Sequence, residues 1–169
     1  MPFREFTRLS PNRDVTRRHE KLGVCFHHSV AGFDETIAHM LRADSQVSYH
    51  GLIAADGTRC TLVVDDHLAW HAGASHFLGR ERANDFLLGC AFAGDTYAAP
   101  LTEAQLASAL EWLAPRWAAR GWSLDRITDH RQISPGRKDD LNPTEWTRLR
   151  AAIAARFPDR AGSPGGSSS

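Results

Sequence analysis

Short apolar runs along the chain predict the strands of a sheet. Four such runs predict strands at residues 23–28, 48–54, 58–64 and 86–93. The Asp56-Gly57 turn would join the second run to the third as in a hairpin. A shorter strand is predicted at 125–129.

Longer apolar stripes predict three helices, near residues 34–43, from Thr102 to about Arg120, and from Pro143 to about Phe157. Asp34 is expected to open the first helix. Thr102 and Gln105 have the spacing of a capping box, and Pro115 is expected to bend or interrupt the helix that they begin. The inward-facing positions of the last two helices are predicted to be Leu106, Ala109, Leu110, Leu113, Trp117, Trp146, Leu149 and Ile153.

The alternation of strands and helices predicts the fold class α/β, with a single mixed central β-sheet flanked by helices. The length of 169 residues suits one domain, which we place at residues 21–157. Residues 1–20 are interpreted as a polar N-terminal arm. Residues 158–169, PDRAGSPGGSSS, are interpreted as a flexible tail or linker.

Composition narrows the function classes. Lysine plus arginine equals aspartate plus glutamate, 20 against 20, so no overall basic field favours a nucleic acid partner. Cys25, Cys60 and Cys90 lack the spacing of a zinc knuckle and are expected to be buried thiols of a protein made in a reducing compartment. The charged N-terminus does not resemble a signal peptide, and no segment suits membrane insertion. We therefore expect a monomer that is cytoplasmic on synthesis.

Candidate chemistry concentrates in two segments, HRQISPGRKDDL (130–141) and GVCFHHSVAG (23–32). A catalytic zinc usually takes three imidazole, thiolate or carboxylate ligands and leaves a fourth position open. The first segment offers His130 and an aspartate. The second offers His27 or His28, and only one of these can point into a given site because strand residues alternate in direction.

Four segments in this order resemble the zinc-dependent type 2 N-acetylmuramoyl-L-alanine amidases, a family that includes AmpD, phage lysozymes with amidase activity and peptidoglycan recognition proteins. The segments are FHHS (26–29), VSYHGLI (47–53) with the following ADG, AWHAGASHFLGRERANDFLLG (69–89) and DHRQISPGRKDDLNP (129–143). The resemblance implies the cofactor Zn²⁺ and the metal ligands His27, His130 and Asp140. His28 and Asp139 are the second choices, because a slip of one residue would put them in place of His27 and Asp140.

The resemblance also implies roles in catalysis and substrate binding. Lys138 would stabilise the oxyanion formed when water attacks an amide carbonyl, and the phenol of Tyr49 would lie over the water on the zinc. AmpD-type enzymes have a glutamate where this chain has Ala91. The residues expected to contact the substrate are Trp70, His71, Arg82 and Asn84, with the Arg82 guanidinium suited to a carboxylate of the stem peptide.

The sequence therefore predicts an enzyme, a zinc-dependent amidase that hydrolyses the lactyl-L-alanine amide of peptidoglycan. Tyr49 and the lack of a signal peptide favour a phage or prophage endolysin, which would act at the cell wall after release. Two alternatives stay open: a cytosolic amidase that recycles anhydro-muropeptides, and a non-catalytic peptidoglycan-binding module.

Overall fold

The most apolar runs of the chain form neighbouring strands at the centre of a six-stranded sheet. The computed structural model describes residues 1–159. The strands of this sheet are β1 (Glu5–Thr7), β3 (Gly23–His28), β4 (Gly51–Ile53), β5 (Arg59–Thr61), β9 (Leu87–Phe92) and β10 (Ile127–Asp129). They lie in the order β1-β5-β4-β9-β3-β10, and every residue of β3 and β9 is buried. The predicted α/β fold with one mixed central sheet is confirmed.

Only the β4–β5 pair of this sheet is antiparallel, as the predicted hairpin requires. Two short antiparallel pairs lie outside it, β2 (Arg13–Asp14) with β6 (Leu68–Ala69), and β7 (His76–Phe77) with β8 (Arg80–Glu81).

The strand predicted at 23–28 has the observed bounds, while the observed strands β4 and β5 are shorter than the predictions at 48–54 and 58–64. Their flanking groups bind loops instead, as where the Ser48 amide donates to the Trp70 carbonyl oxygen at 3.0 Å.

The N-terminal segment expected to be an arm is part of this sheet. Strand β1 pairs with β5 in parallel register, and Phe6 packs against the core. Arg59 holds the strand from the side, since its Nη2 donates to Glu5 Oε2 at 2.8 Å. The predicted boundary at residue 20 therefore does not separate an arm from the folded domain. The segment carries too few apolar residues for a periodic pattern to reveal its strand.

The helices are α1 (Phe33–Met40), α2 (Glu103–Arg120), α3 (His130–Ile133) and α4 (Pro143–Arg156). The capping box is present, because Gln105 N donates to Thr102 Oγ1 and Thr102 N donates to Gln105 Oε1, both at 3.0 Å. Asp34 lies inside the first turn of α1, whose N-cap is Gly32. The expected interruption at Pro115 is wrong: α2 is continuous to Arg120, because a proline removes only one helical hydrogen bond and packing holds both sides.

Helices α2 and α4 cover one face of the sheet. Their inward residues form the largest buried cluster together with strand residues such as Val24 and Phe26. Within residues 1–159, no helix is long and apolar enough to cross a membrane. Residues 160–169, most of the expected tail, lie outside the described part of the chain.

Two buried histidines, His19 and His50, pack edge to face beside β9, with ring centroids 5.2 Å apart. His50 Nδ1 accepts from Gly89 N at 3.0 Å, and its Nε2 donates to the His67 carbonyl oxygen at 2.8 Å. Burial lowers the pKa of His50 to about 3, and it also lowers the pKa of His19. Both imidazoles are therefore neutral in the folded protein.

This predicts a loss of stability in mild acid. His50 has an ordinary pKa of 6.5, so its contribution is present above that pH and is lost as the pH falls toward 3. At about pH 5 the loss is about 2 kcal/mol for one such histidine. In urea unfolding, His50→Gln should lose less free energy of unfolding than the unsubstituted protein between about pH 7 and about pH 5. Equal losses would contradict the assignment.

Candidate metal centre and cleft

The predicted ligands His27 and His130 come together because two parallel strands end side by side. Strand β3 pairs with β10 so that Phe26 lies opposite Asp129. The next residue of each chain segment is therefore His27 or His130, at the carboxyl edge of the sheet where sites of α/β proteins usually form. Their Nδ1 atoms lie 3.0 Å apart.

Asp140 completes a cluster of three potential ligands. Its Oδ2 lies 3.5 Å from His27 Nδ1, and its Oδ1 lies 3.4 Å from His130 Nδ1. A tetrahedral ion with bonds of about 2.0–2.2 Å separates its ligand atoms by roughly 3.3–3.6 Å, close to these distances. The three residues are buried, and their ligand atoms lie close enough together to hold a metal ion. The arrangement thus fits the zinc ion that the family resemblance implies.

The protonation states of the cluster also suit a metal ion. Burial lowers the pKa of His27 to about 4, and the neighbouring His130 acts in the same direction. Burial opposes the ionisation of Asp140, yet the adjacent imidazoles of His130 and His27 hold the pKa of this carboxyl well below its usual value. At neutral pH the cluster offers a neutral imidazole at His27 and a carboxylate at Asp140, the forms that bind zinc.

The neighbouring residues His28 and Asp139 point elsewhere. His28 Nδ1 lies 2.8 Å from Thr96 Oγ1, on the side of β3 opposite to His27. Asp139 is exposed, and its carbonyl oxygen accepts a hydrogen bond from Tyr97 Oη at 2.7 Å. The alternation of strand residues therefore separates His27 from His28.

A second group of potential ligands, Cys25, His27 and His71, shares His27 with the first. It fits a metal less well. His27 Nε2 and His71 Nδ1 lie 2.9 Å apart, as close as the two histidines of the first group, so the difference lies in the cysteine. Burial raises the pKa of the Cys25 thiol well above its usual value, so the thiolate that a metal requires is disfavoured.

Two residues that the sequence analysis did not single out organise the metal loop. Asp129 accepts from Leu141 N at 3.1 Å, and this contact holds the chain just after Asp140. Arg137 Nη2 donates to the carbonyl oxygens of Ala72 and Ala74, at 2.6 and 2.9 Å. The family segment DHRQISPGRKDDLNP contains both residues, but their partners could not be read from it.

The cluster borders a cleft of about 290 Å³. Tyr49 lies in its wall, with its ring centroid 5.1 Å from that of His27. Burial raises the pKa of Tyr49, so the side chain is a neutral phenol that can donate a hydrogen bond. Lys138 is exposed and lines the same cleft. Both residues predicted to be catalytic thus border the space beside the candidate ligands.

The predicted substrate contacts divide into two groups. Trp70 and His71 line the cleft, although His71 is only 7% exposed. Asn84 Oδ1 accepts from the amides of His71 and Ala72, at 3.0 and 2.8 Å. Arg82 is exposed, with its Nε 3.7 Å from Asp85 Oδ2. In the described part of the chain, neither Arg82 nor Asn84 is among the residues that line the cleft.

Ala91 occupies the position in β9 that pairs with His27. It is fully buried in a cluster of apolar residues against which Tyr49 packs. Paired residues of neighbouring strands face the same side of a sheet, so a longer polar side chain at this position would extend toward the metal cluster. The phenol of Tyr49 lies beside His27 on that side.

Matched substitutions of the two aspartates test the ligand assignment. Asp140→Ala removes one of the three ligands and should weaken zinc binding by more than about 100-fold. Loss of a residue that is only hydrogen-bonded to a ligand costs up to about that factor. Asp139→Ala removes an exposed carboxylate and should leave the zinc dissociation constant unchanged. Competition with a chromophoric chelator measures both constants. Loss of zinc in Asp139→Ala but not in Asp140→Ala would show that the register of the loop is wrong.

Comparisons with known proteins match the part of the chain that contains the candidate site. A family profile described as N-acetylmuramoyl-L-alanine amidase matches residues 18–143. The 1,6-anhydro-N-acetylmuramyl-L-alanine amidase AmpD of Salmonella typhimurium is 41% identical over 127 residues, which is 72% of this chain and 63% of that protein. The chain therefore spans just under two thirds of this relative's length.

Solved structures similar to this chain also include amidases. A crystal structure of an AmpD derivative superposes with a TM-score of 0.72 at 27% identity, over 89% of this chain and 94% of that one. The Escherichia coli amidase AmiD, in complex with the substrate anhydro-N-acetylmuramic acid-L-Ala-D-gamma-Glu-L-Lys, superposes with a TM-score of 0.69 at 26% identity. That match covers 83% of this chain and 60% of AmiD. Because the family profile matches most of the chain, the protein belongs to the N-acetylmuramoyl-L-alanine amidase family.

Proposed function

We propose that this protein is a zinc-dependent amidase that cleaves the amide bond between muramic acid and L-alanine in soluble anhydro-muropeptides. The observation that carries the proposal is the cluster of His27, His130 and Asp140 beside a cleft. The name of the Salmonella relative and the muropeptide bound to AmiD support the choice of substrate. This is the recycling enzyme that the sequence analysis held as an alternative.

His27, His130 and Asp140 would hold the zinc ion. When bound, zinc lowers the pKa of a coordinated water toward about 7 and polarises a carbonyl group. The neutral imidazoles and the single carboxylate leave a net positive charge at the centre, which favours the negative charge that develops on the amide oxygen.

Tyr49 and Lys138 would act on the substrate from the cleft. The neutral phenol of Tyr49 donates a hydrogen bond through Oη and orients the oxygen of the attacking water or of the tetrahedral intermediate. Lys138 Nζ places a positive charge near the developing oxyanion. Neither group needs to change its protonation state to provide this stabilisation, and the proton that the departing L-alanine nitrogen takes up would come from the attacking water.

The remaining predicted contacts would bind the substrate. Trp70 supplies an aromatic surface in the cleft, and Val30, Val47 and Met40 supply apolar surface. Arg82 is exposed and carries a guanidinium suited to a carboxylate of the stem peptide. Asn84 is proposed to contribute by holding the Trp70 to Gly73 segment, because its side-chain oxygen is already bound to that segment.

A phage or prophage endolysin, the leading hypothesis of the sequence analysis, is the second candidate. Tyr49 beside the metal cluster favours it, since the family resemblance likens this residue to a tyrosine of the phage lysozymes. The similarity to AmpD favours the recycling enzyme, with 41% identity over most of this chain. The two candidates differ in whether the substrate is a soluble fragment or the intact wall.

Hydrolysis assays on the two substrates test the proposal. The zinc-loaded protein should release free stem peptides from soluble anhydro-muropeptides, as identified by mass, and should act much more slowly on purified sacculi. A chelator should abolish the release and added zinc should restore it. Asp140→Ala should be inactive, while the matched variant Asp139→Ala should keep its rate.

Other results would point to other functions. Faster release from sacculi than from soluble fragments would indicate an endolysin. Binding to sacculi without hydrolysis of either substrate would indicate the non-catalytic module.

Replacing Tyr49 tests the role of the phenol. Tyr49→Phe removes the hydrogen-bond donor and should lower kcat by about 100-fold, a typical cost of removing one donor to a developing oxyanion. The zinc dissociation constant should not change, because the ring stays in place. Tyr97→Phe is the matched control, since it removes the other tyrosine hydroxyl of the chain and should have a small effect on kcat. A fully active Tyr49→Phe enzyme would contradict the assigned role.

A further inference from the structure

We infer that His71 is a positioning residue that fixes the proton of His27, so that the lone pair of His27 Nδ1 faces the metal cluster. The inference rests on the proposed zinc-dependent function. It gives the Trp70 to Gly73 segment, predicted as a substrate contact, a role in metal binding. The carbonyl group of Ala72 in the same segment acts in the same way on His130.

The hydrogen bonds of His71 determine where its proton lies. His71 Nε2 is 2.8 Å from the carbonyl oxygen of Leu87, and a carbonyl oxygen can only accept. Nε2 of His71 therefore carries the proton, and in a neutral imidazole Nδ1 is then an acceptor. The Leu87 oxygen also accepts from His19 Nε2 at 3.0 Å, so its position is held from two sides.

The same donor and acceptor argument applies to His27. His27 Nε2 is 2.9 Å from His71 Nδ1, so the acceptor on His71 requires a proton on His27 Nε2. The neutral ring then keeps a lone pair on Nδ1. That atom faces His130 Nδ1 at 3.0 Å and Asp140 Oδ2 at 3.5 Å. His71 thus selects the tautomer of His27 that binds a cation in the cluster.

His130 receives its orientation from the next residue of the segment. Its Nε2 is 3.1 Å from the carbonyl oxygen of Ala72 and donates to it, so Nδ1 of His130 also keeps its lone pair toward the cluster. Two consecutive residues, His71 and Ala72, therefore orient the two histidine ligands. Without a cation, two lone pairs would face each other beside a carboxylate, which is unfavourable.

The segment is built to hold these positions. Asn84 Oδ1 accepts from the amides of His71 and Ala72, and Arg137 Nη2 donates to the Ala72 carbonyl oxygen at 2.6 Å. Strand β9 leaves room for the His71 ring at Gly89, where an added Cβ would lie 2.5 Å from His71 Cγ. Any side chain at that position would displace the ring.

Burial argues against a main role of His71 in binding substrate. The residue is only 7% exposed, and both ring nitrogens are bound within the protein. A loss of function in His71 variants should therefore appear first in zinc affinity. Loss of such an outer partner commonly lowers the metal affinity of a metal-binding histidine by about 10- to 100-fold.

Two substitutions of His71 separate the two hydrogen bonds. In His71→Asn the amide oxygen takes the place of Nδ1 and keeps the acceptor for His27. In His71→Gln the amide nitrogen takes the place of Nε2 and keeps the donor to Leu87. We expect His71→Gln to weaken zinc binding by about 10- to 100-fold and His71→Asn to weaken it much less. A merely structural role of the Leu87 contact predicts the opposite order.

The matched control is His50→Gln, which replaces another buried histidine. Its ring centroid lies 6.1 Å from that of His71, and its nitrogens bind Gly89 and His67 rather than His27. The zinc dissociation constant of this variant should equal that of the unsubstituted protein. Thermal unfolding with a chelator present shows whether each variant is folded before zinc is added.

A second measurement needs no substitution. Long-range proton–nitrogen NMR spectra of the zinc-loaded protein at neutral pH report which nitrogen of each imidazole carries a proton. We expect protons on Nε2 of both His27 and His71. A proton on Nδ1 of His71 would overturn the inference even where the His71 variants fail to fold.

The remaining outcomes distinguish this inference from the proposed function. Unchanged zinc affinity in His71→Gln, with a raised KM for the muropeptide, would overturn the inference and restore the substrate-binding role, while the amidase proposal would stand. Failure of the unsubstituted protein to bind zinc would overturn both. Zinc binding with the expected order of the variants but no hydrolysis would support the inference for a metal site and overturn the amidase.

Discussion

The parallel pairing of β3 with β10 is the constraint on which the rest of the site depends. Its register places His27 beside His130 at the ends of neighbouring strands. A slip of one residue would turn the other face of β3 toward the cleft and offer His28 instead. Such a slip would also remove Val24 and Phe26 from the largest buried cluster, at the cost of their packing. Hydrophobic packing thus determines which histidine is available to a metal.

The second constraint is that polar groups buried around the cluster need partners. A buried imidazole or carboxylate is costly unless it is hydrogen-bonded, and the loops after β6 and β10 supply these bonds. Asp129 binds the amide of Leu141, and Arg137 binds the carbonyl groups of Ala72 and Ala74. The two loops are therefore tied to each other as well as to the ligands. The position of Asp140 depends on these bonds, since no strand holds it.

Sequence reasoning predicted the parts of the structure that follow from local patterns. The bounds of β3 and the capping box of α2 follow from apolar runs and residue spacing, and the family resemblance selected Asp140 over Asp139. The role of His71 depends on a contact with His27 across 44 residues, which no local pattern encodes. Strand β1 was missed for a similar reason, because three residues with a single apolar side chain become a strand only by pairing with β5. Pairing partners distant in sequence were thus the information that local patterns lacked.

Ala91 stands where the family resemblance implies a glutamate in AmpD-type enzymes, and this difference would change the charge of the proposed zinc site. A zinc ion with one carboxylate ligand keeps a net charge of about +1, and Lys138 adds to it. A glutamate beside His27 would reduce this charge and would have to ionise in a buried place next to Asp140, where repulsion raises its pKa. The phenol of Tyr49 avoids this cost, because burial already keeps it neutral. In the proposed mechanism, a site with Ala91 and Tyr49 would therefore use a hydrogen-bond donor and a higher positive charge, where the glutamate that the family resemblance implies for AmpD-type enzymes would act as a base.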